Sequence, residues 1–575
     1  MRTTYNVEDA LKFVLEGGDS EIDGVSSDES DDDLDVSLEP DTGKSVEELS
    51  TELEDDPSDD IIEPDIASAT YTWRKKDIQP CDTTFVDGPV EPAPNEDETP
   101  FDYYKKFVQF DSVAEQTNLY STQRDGSSMN ITPQELEQFN AVYFRMGLVQ
   151  MPSQRSYWES DMSYNGVSSI MPRNRFEKII RSIHFIDNLS ITEHDQKTDR
   201  IWKIRPWINQ LRNAFATVSP EEHHAVDEIM IAFKGRSLLR QYMPMKPHKW
   251  GFKLWGRSGQ SGFLYDFDVY QGRSQSSEKS VYGVSGDVVL QMTASLPKNR
   301  NFKVFADNFF TGLPFIEKLK SNGIFYVGTV RMPRMKGCPL TDDKELKKKG
   351  RGAVDYRLDT QRNIVAVRWF DNKSVNIVSS YVGVEPIDQV QRYDRSKRQH
   401  ISIPRPNIIK IYNIYMGGID KLDMMCAMYK PTLRSRKWYM YIFLHTLQIA
   451  LVNAWLLYRR NTAILKPNAK LMPLHKFQSQ VAQGLASTNK RIRGRPSLES
   501  LLTPIPMKIP KVQSIPTNDT RKDGLDHFPM YEAKRQRCMH CPKGVNSWSY
   551  FRCKKCNVWL CLNKDRNCFN AYHGL

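Results

Sequence analysis

Acidic residues stand at three points of the sequence where their neighbours predict strands or the start of a helix. Asp227 lies within HAVDEIMIAF, Asp307 within VFADNFFTG, and Asp420 within YMGGIDKLD, with Asp423 three residues further on the same helix face. Carboxylates on two strands and a helix can converge only if the fold joins distant segments, and such a cluster can bind two Mg²⁺ ions. We therefore interpret these four aspartates as one candidate catalytic site.

The chemistry expected of this site is phosphodiester cleavage and transfer. Two ions about 4 Å apart activate a water or a DNA 3′-hydroxyl and stabilise the leaving oxygen. Four carboxylates at one point would repel one another unless cations held them. Taken singly, an Asp at a strand end is more often a turn or cap residue, so the prediction depends on the set. The sequence contains no P-loop motif.

A second group of residues, close to the carboxyl end, has the spacing of zinc ligands. Two CxxC pairs stand 11 residues apart and are followed by three further soft ligands, a pattern that tetrahedral Zn²⁺ requires in so small a segment. The order predicts interleaved, cross-brace binding of two structural Zn²⁺ ions. Seven clear ligands are present for eight positions, and His540 is the best eighth candidate, with a water or a shifted ligand as alternatives. The predicted zinc ligands are Cys538, Cys541, Cys553, Cys556, Cys561, Cys568, His573 and His540.

The charge of the chain is distributed unevenly. The 575 residues carry a formal net charge of +8, but residues 1–65 contain 24 Asp and Glu against 3 Lys and Arg, which leaves +29 for the remainder. A basic remainder attracts phosphate backbones, so double-stranded DNA is the first candidate partner, with a merely soluble basic surface as the alternative. No signal or transit peptide can be recognised, and the scattered other cysteines indicate reduced thiols, which fit a nuclear or cytosolic environment. With DNA as the candidate partner, we expect a nuclear location.

One short basic string could contact DNA directly. Lys490 to Pro496 reads KRIRGRP, and Arg493 and Arg495 flank a glycine in a form that fits the narrow minor groove of A·T-rich DNA. The same string is also typical of a nuclear import signal, and both interpretations stay open.

The elements that must position these residues follow from the hydrophobic periodicity. Thr132, Pro133 and Glu135 predict a capping box at the start of a helix through residue 148, and further helical patterns cover 173–186 and 200–218. From residue 224 the period changes to short β-branched and aromatic runs, which predict a sheet with an intervening helix at 313–322.

One segment has the length and basic flanks of a membrane span. It runs from Tyr439 to Tyr458 but contains His445, Gln448 and Asn453, three polar side chains that hydrocarbon would penalise and a protein core could hydrogen-bond. We predict a long buried helix and no membrane partner.

These patterns predict an α/β multidomain protein in eight segments. They are an acidic disordered arm, a helical part, a first sheet part, an insertion, a second sheet part, a second helical part, a basic linker with six prolines, and a Cys-rich zinc module. Their bounds are 1–98, 99–221, 222–331, 332–406, 407–429, 430–485, 486–537 and 538–575.

The chain resembles the piggyBac-type transposases, which are cut-and-paste DNA transposases with an aspartate triad in an RNase H-like fold. The resemblance covers about residues 100–475 and 538–573, in the order of the family. It is carried by MPRNRFEKIIRSIHF, VDEIMIAFKGR, KPHKWGFKLW, DNFFTGLPFIEKLKSNGIFYVGTVR, YNIYMGGIDKLDMM, RKWYMYIFLHTLQIALVNAW and the terminal Cys/His cluster.

The resemblance implies roles for particular residues. Asp227, Asp307 and Asp420 match the triad, and Asp423 matches an accessory acid. It further implies that the insertion splits an RNase H-like catalytic domain, that the flanking helices form a dimerisation and DNA-binding domain in a homodimer, and that target sites are TTAA. The positions matched to DNA contact are Arg331, Arg334, Lys437 and Trp438, although MPRMKG departs from the family pattern around Arg334.

Other functional classes remain open from the sequence. A domesticated DNA-binding or chromatin protein would keep the fold and the zinc module without strand transfer, because intact ligands do not ensure the positioning that catalysis needs. A zinc module that reads histone tails is a third hypothesis.

Overall fold

The computed structural model describes residues 70–88, 94–244, 246, 248–272, 280–394, 397–488, 521–522, 526–542, 545 and 547–574. It has two compact units, one within residues 1–490 and one within 491–575. The predicted acidic arm up to residue 69 and the string with Arg493 and Arg495 lie outside the described residues.

A ten-stranded mixed sheet forms the centre of the larger unit. Its strand order is β1-β8-β9-β10-β7-β6-β2-β4-β3, and β5 also pairs with β4. The bounds of its strands are Trp73–Arg74 (β1), His223–Ala232 (β2), Gln241–Tyr242 (β3), Trp250–Gly259 (β4), Leu264–Val269 (β5), Phe302–Ala306 (β6), Ile324–Thr329 (β7), Val354–Asp359 (β8), Ile364–Phe370 (β9) and Ser374–Ser379 (β10).

The middle of the sheet is parallel and both flanks are antiparallel. β2 pairs with β6, and β6 with β7, in parallel. The remaining pairs are antiparallel, including β2 with β4 and β4 with β5. Every residue of β6 is buried, as expected of a strand covered on both faces. The predicted sheet is therefore confirmed.

Helices precede the sheet in the chain and pack beside it. Their bounds are Pro100–Lys105 (α1), Asp111–Asp125 (α2), Pro133–Leu148 (α3), Asn165–Ser168 (α4), Arg173–Ser182 (α5), Glu193–Thr198 (α6) and Arg205–Phe215 (α7). The amide N–H of Glu135 donates to Thr132 Oγ1 at 3.2 Å, so the predicted N-cap is confirmed. The other half of the predicted capping box, in which the Glu135 side chain reaches back to the start of the helix, is wrong. The Glu135 carboxylate pairs with Arg175 at 2.6 Å instead.

The later helices cover both faces of the sheet and complete the helical part. Phe315 and Ile316 of α9 join one core cluster with β6 and β7, while Ile419 and Leu422 of α12 join another with β2, β4 and the first helices. The bounds are Gly283–Thr293 (α8), Leu313–Ser321 (α9), Asp343–Lys349 (α10), Asn407–Tyr415 (α11), Gly418–Met428 (α12), Trp438–Leu465 (α13) and Leu474–Ser487 (α14).

The long helix α13 is the segment that the sequence identified as apolar enough for a membrane. Of its most apolar 18-residue window, 94% is buried inside the protein. Asn453 accepts from the Leu264 N–H and donates to the Leu264 carbonyl, each at 2.9 Å, and His445 Nδ1 lies 2.9 Å from Lys430 Nζ. The predicted buried helix with hydrogen-bonded polar groups is therefore confirmed at these residues.

Two of the predicted segment assignments in the larger unit differ from the structure. Within the arm predicted as disordered, residues 70–88 lie along the sheet: β1 pairs with β8, and the Asp77 carboxylate accepts from the N–H groups of Val384 and Glu385. Within the predicted insertion, β8, β9 and β10 extend the central sheet, since β10 pairs with β7. A hairpin of Asp388–Asp394 (β11) and Gln399–Arg405 (β12) follows.

The smaller unit is a hairpin with two short strands and a terminal helix. Its bounds are Pro529–Arg537 (β13), Trp548–Cys553 (β14), Leu562–Asn563 (β15), Arg566–Asn567 (β16) and Cys568–His573 (α15). β13 lies within the predicted linker 486–537, so the ordered module begins earlier than residue 538. The pairing of Pro529 with Cys553 explains this, because β14 needs a partner strand.

The contact between Asn453 and the backbone of Leu264 yields a stability prediction. Asn453→Ala leaves a buried N–H and a buried carbonyl of β5 without their partner, and we expect a loss of about 1–3 kcal/mol in the free energy of unfolding. Chemical denaturation measures it. Ile464→Ala, at a side chain 62% exposed on the same helix, is the control and should change stability by less than about 0.5 kcal/mol. Equal losses in both variants would contradict the assignment.

Candidate functional site

Parallel pairing brings the first two aspartates side by side. Val226 of β2 pairs with Ala306 of β6, and the next residues of the two segments are Asp227 and Asp307. The sequence placed both residues at strand ends, which is right for Asp307 and wrong for Asp227. β2 continues to Ala232 because β4 pairs with it along its whole length, so the strand that ends at the site is β6.

The turn after β6 is fixed by hydrogen bonds. The carboxylate of Asp307 accepts from the Phe309 N–H at 2.8 Å, and Thr311 Oγ1 donates to the Asp307 carbonyl at 2.8 Å. The Arg334 guanidinium donates to the Phe309 carbonyl at 2.6 Å and to that of Asn308 at 3.2 Å. Arg334, predicted as a DNA contact, is thus placed where it holds the turn that carries Asp307.

The start of α12 supplies the other two aspartates. Asp420 lies in its first turn and is exposed, and Asp423 follows on the same face. Gly418 brings the helix close to β4, because a Cβ at this position would lie 2.5 Å from Ser258 Oγ and 2.6 Å from the Gly259 carbonyl oxygen. Only glycine permits this approach.

Three of the four aspartates act on one lysine. Burial disfavours the charge of Lys246, but Glu228, Asp227, Asp423 and Asp420 outweigh burial and raise the pKa of its ammonium group. Lys246 Nζ lies 3.5 Å from Glu228 Oε1. The fold therefore brings the predicted residues into one electrostatic neighbourhood.

Three of the aspartates in this neighbourhood hold protons more firmly than usual. Burial, followed by the charges of Glu228 and Asp307, raises the pKa of Asp227 well above its ordinary value, and burial with Glu228 raises that of Asp307. Burial, opposed by Lys246 and supported by Asp420, raises the pKa of Asp423 to about 7. Burial and mutual repulsion are the setting in which a divalent cation would stabilise the ionised forms.

The carboxylates do not form one compact ligand set. Among the described residues, two sets of three or more His, Cys, Asp or Glu residues have ligand atoms that all lie within 4.8 Å of one another, and both consist of Cys and His. The aspartates are instead related by strand register, by the helix face and, for three of them, by Lys246.

Sequence reasoning missed three charged residues at this site. Glu228 acts on both Asp227 and Asp307, and Lys246 and Lys253 act on Glu228 in turn. Lys253 is buried, with Nζ 4.1 Å from the ring centre of Trp255. The acid adjacent to Asp227 and the KPHKWGFK run were the available signals.

The remaining residues predicted to contact DNA lie against neighbouring side chains of the protein. Trp438 is partly buried against the core, with its ring centre 5.9 Å from that of Phe252. Lys437 Nζ lies 4.7 Å from the ring centre of Tyr120. Arg331 Nε is 3.4 Å from Asn308 Oδ1. None of these contacts tests the predicted contact with DNA.

The smaller unit contains the two Cys/His sets. Cys538, Cys541, Cys561 and Cys568 form one, and His527, Cys553, Cys556 and His573 the other. Cys541 Sγ lies 3.5 Å from Cys568 Sγ and 3.9 Å from Cys561 Sγ. Ligands around tetrahedral Zn²⁺, at about 2.3 Å for sulfur and about 2.0 Å for nitrogen, stand about 3.3–3.8 Å apart, so the residues fit this ion.

His527 stands where the eighth ligand would be. His527 Nδ1 lies 3.4 Å from Cys553 Sγ and 3.5 Å from Cys556 Sγ, whereas His540 is exposed and outside both sets. The choice of His540 is therefore wrong. The cause is the pairing of β13 with β14, which sets the residues before Pro529 beside Cys553. The one signal was a histidine upstream of the first CxxC pair.

A second contact orients the other histidine. His573 Nδ1 lies 2.8 Å from the Phe569 carbonyl oxygen, which fixes the tautomer and leaves Nε2 as the ligand atom. The two sets alternate along the chain, so the predicted interleaved arrangement agrees with the structure. All eight residues can close around ions without leaving an open position, which is typical of structural zinc.

Comparison with known proteins places these features in a family context. A family model described as Transposase IS4 matches residues 99–455. The human PiggyBac transposable element-derived protein 3 is 31% identical over 520 residues, covering 87% of this chain and 81% of the relative, and human PiggyBac transposable element-derived protein 2 is 28% identical over 82% and 77%.

The fold is also found among solved structures. A cryo-EM structure of a piggyBac transposase synaptic complex with hairpin DNA matches 80% of this chain and 95% of its own, with a TM-score of 0.58 and 21% sequence identity. At that identity the match concerns the fold.

The assignment of the eighth zinc ligand can be tested by metal content. We expect elemental analysis of the purified chain to find two Zn²⁺ per molecule and His527→Ala to lose about one, because three ligands hold the ion far less tightly. His540→Ala is the matched control and should retain both. Loss of zinc in His540→Ala with retention in His527→Ala would reverse the assignment.

The raised pKa of Asp423 predicts a pH dependence of stability. The folded, metal-free protein keeps a proton on Asp423 up to about pH 7, whereas the unfolded chain releases it near the ordinary value of 3.8. The folded state thus binds more protons in this window, and stability falls as the pH rises through it. Asp423→Asn should therefore raise the melting temperature in EDTA at pH 8 and leave it unchanged at pH 3.

The control for this measurement is Asp161→Asn, at an exposed position outside the site. Added Mg²⁺ should stabilise the unaltered protein more at pH 8 than at pH 5, since the cation needs the ionised carboxylate. A melting difference between Asp423→Asn and the unaltered chain that does not change with pH would refute the interpretation.

Proposed function

Because the chain belongs to the piggyBac family of transposases, we propose that it is a metal-dependent DNA transposase of the DDD type. It nicks double-stranded DNA at transposon ends, forms hairpins by attack of the freed 3′-hydroxyl, and joins the excised DNA at TTAA sites. It acts as a homodimer in the nucleus. The observation that carries the proposal is the pairing of β2 with β6, which sets Asp227 beside Asp307, while Asp227, Asp420 and Asp423 all act on Lys246.

The strand topology supports an RNase H-like catalytic core. Three antiparallel strands, β5, β4 and β2, are followed by β6 and β7 added in parallel to β2, in the order β5-β4-β2-β6-β7. Asp227 stands on β2, Asp307 follows β6 directly, and Asp420 and Asp423 stand on α12, which packs against the sheet.

The roles of the residues follow from their positions. Asp227, Asp307 and Asp420 would hold two Mg²⁺ ions, and Asp423 would support them. The ions, when bound, would supply activation of the attacking oxygen and stabilisation of the leaving one. Lys246 and Lys253 balance the acids in the absence of cations, and Arg334 holds the turn of Asp307.

A captured DNA-binding protein without transposition activity is the second candidate. It is favoured by the human relatives, which are described as derived from transposable elements. In that case the fold, the zinc module and DNA binding persist while strand transfer is lost. The two candidates differ in a single observable, the excision of a donor element.

An excision assay in cells separates the two candidates. The donor carries candidate end sequences flanked by TTAA, and the readout is the repaired junction. We expect the unaltered chain to restore a single TTAA and Asp307→Asn to lose excision by at least about a hundredfold, since removing one metal ligand misplaces the ions. Asp161→Asn is the control and should excise normally.

DNA binding is measured in parallel to interpret a negative result. If neither the unaltered chain nor Asp307→Asn excises although both bind the ends, the chain is a captured DNA-binding protein. If Asp307→Asn excises normally, Asp307 does not bind a catalytic ion.

A further inference from the structure

Lys253 is buried on β4 without an ion pair. It is 8% exposed, and within the described part of the chain it forms no ion pair, whereas Lys246 pairs with Glu228 at 3.5 Å. Burial lowers the pKa of the Lys253 ammonium group, because an ammonium group away from water is disfavoured. A residue that costs stability in this way is a candidate for a role in the reaction.

The ammonium group of Lys253 lies over two aromatic rings. Its Nζ is 4.1 Å from the ring centre of Trp255 and 4.8 Å from that of Phe309. Trp255 follows two residues later on the same face of β4, and its ring stacks on that of Phe309 with centres 5.5 Å apart and planes 20° apart. Ring faces attract cations, so Lys253 and Trp255 together hold the Phe309 ring against β4.

Phe309 belongs to the turn that carries Asp307. Its N–H donates to the Asp307 carboxylate at 2.8 Å, and the Phe310 N–H donates to the Asp307 carbonyl at 3.3 Å. The buried Phe310 ring lies edge-on to Phe309, with ring centres 5.2 Å apart. A displacement of the Phe309 ring would therefore move the amide that orients Asp307.

Phe309 is held at its backbone and at its ring by different residues. The Arg334 guanidinium donates to the Phe309 carbonyl at 2.6 Å, which fixes the backbone of the turn. The ring is fixed by Lys253 and Trp255. An apolar side chain in place of Lys253 would fill the same space, but apolar contacts are non-directional and would leave the ring free to slide.

We propose that Lys253 is a positioning residue, which holds the Asp307 carboxylate in place through the ring of Phe309. This role requires no contact with DNA or with a metal ion. Its importance for the reaction rests on the proposed function, whereas its effect on the turn does not.

Hydrogen–deuterium exchange of the full chain in EDTA measures how firmly the turn is held. In Lys253→Met, the peptide spanning 307–312 should exchange about tenfold faster, because the Phe309 ring loses its cation. Lys253→Arg keeps a cation against the two rings and should exchange at the unaltered rate. The peptide spanning 324–329, in β7, should not change in either variant.

Melting curves separate positioning from general stability. Lys253→Met should melt within about 3 °C of the unaltered chain, because methionine fills the same space and the cost of burying the charge disappears with its contacts. The matched control is Lys106→Met, which removes a lysine whose Nζ lies 4.8 Å from the ring centre of Tyr103, and it should leave the exchange of 307–312 unchanged. Unchanged exchange of 307–312 in Lys253→Met would overturn the proposal, as would faster exchange throughout the chain.

Phe309→Leu interrupts the same contacts from the other side. It should also accelerate exchange of 307–312 about tenfold, and the double variant with Lys253→Met should exchange no faster than either single variant, because both changes break one link. Effects that multiply to about a hundredfold would show that Lys253 acts independently of Phe309, and the proposal would fail.

Excision connects the turn to the reaction. We expect Lys253→Met to lower excision at least about tenfold and Lys253→Arg to restore most of it, because a misplaced Asp307 slows catalysis. If exchange changes as expected but the unaltered chain does not excise, the proposed function fails and the effect of Lys253 on the turn stands. If the unaltered chain and Lys253→Met excise equally well, the role of Lys253 in the reaction fails and the proposed function stands.

Discussion

The register between β2 and β6 is the constraint on which the candidate catalytic site depends. Pairing Val226 with Ala306 forces Asp227 and Asp307 next to each other, partly buried and alike in charge. Their repulsion has to be offset within the fold, and Lys246, Lys253 and the Phe309 amide do so. The raised pKa values of Asp227 and Asp307 reflect the burial and repulsion that a bound cation would offset.

The third acid depends on a different kind of contact, the approach of a helix to a sheet. Gly418 lets α12 lie against the end of β4, and α13 is joined to β5 through Asn453. The sheet and the helices around it are thus connected on both sides of the acid cluster by contacts that tolerate little displacement. Since an ångström of misplacement can abolish catalysis, these contacts would matter for the positions of the acids as much as for stability.

The sequence predicted the elements whose periodicity is local and missed those that depend on distant partners. The strands around Asp227 and Asp307 and the buried α13 could be recognised from their own residues. The ordered stretch at residues 70–88 could not, because its contacts come from β8 and from Val384, some 280 to 310 residues away. The same limit explains His527: its place beside Cys553 follows from strand pairing, and no CxxC spacing includes it.

The smaller unit has few buried apolar residues and would depend on its metal sites for stability. A two-stranded hairpin is barely stable in water, and the apolar residues packed with the ligands are few, among them Val558, Leu560 and Phe569. Interleaved zinc sites would supply the missing stabilisation, because each ion would tie together segments that the other also holds.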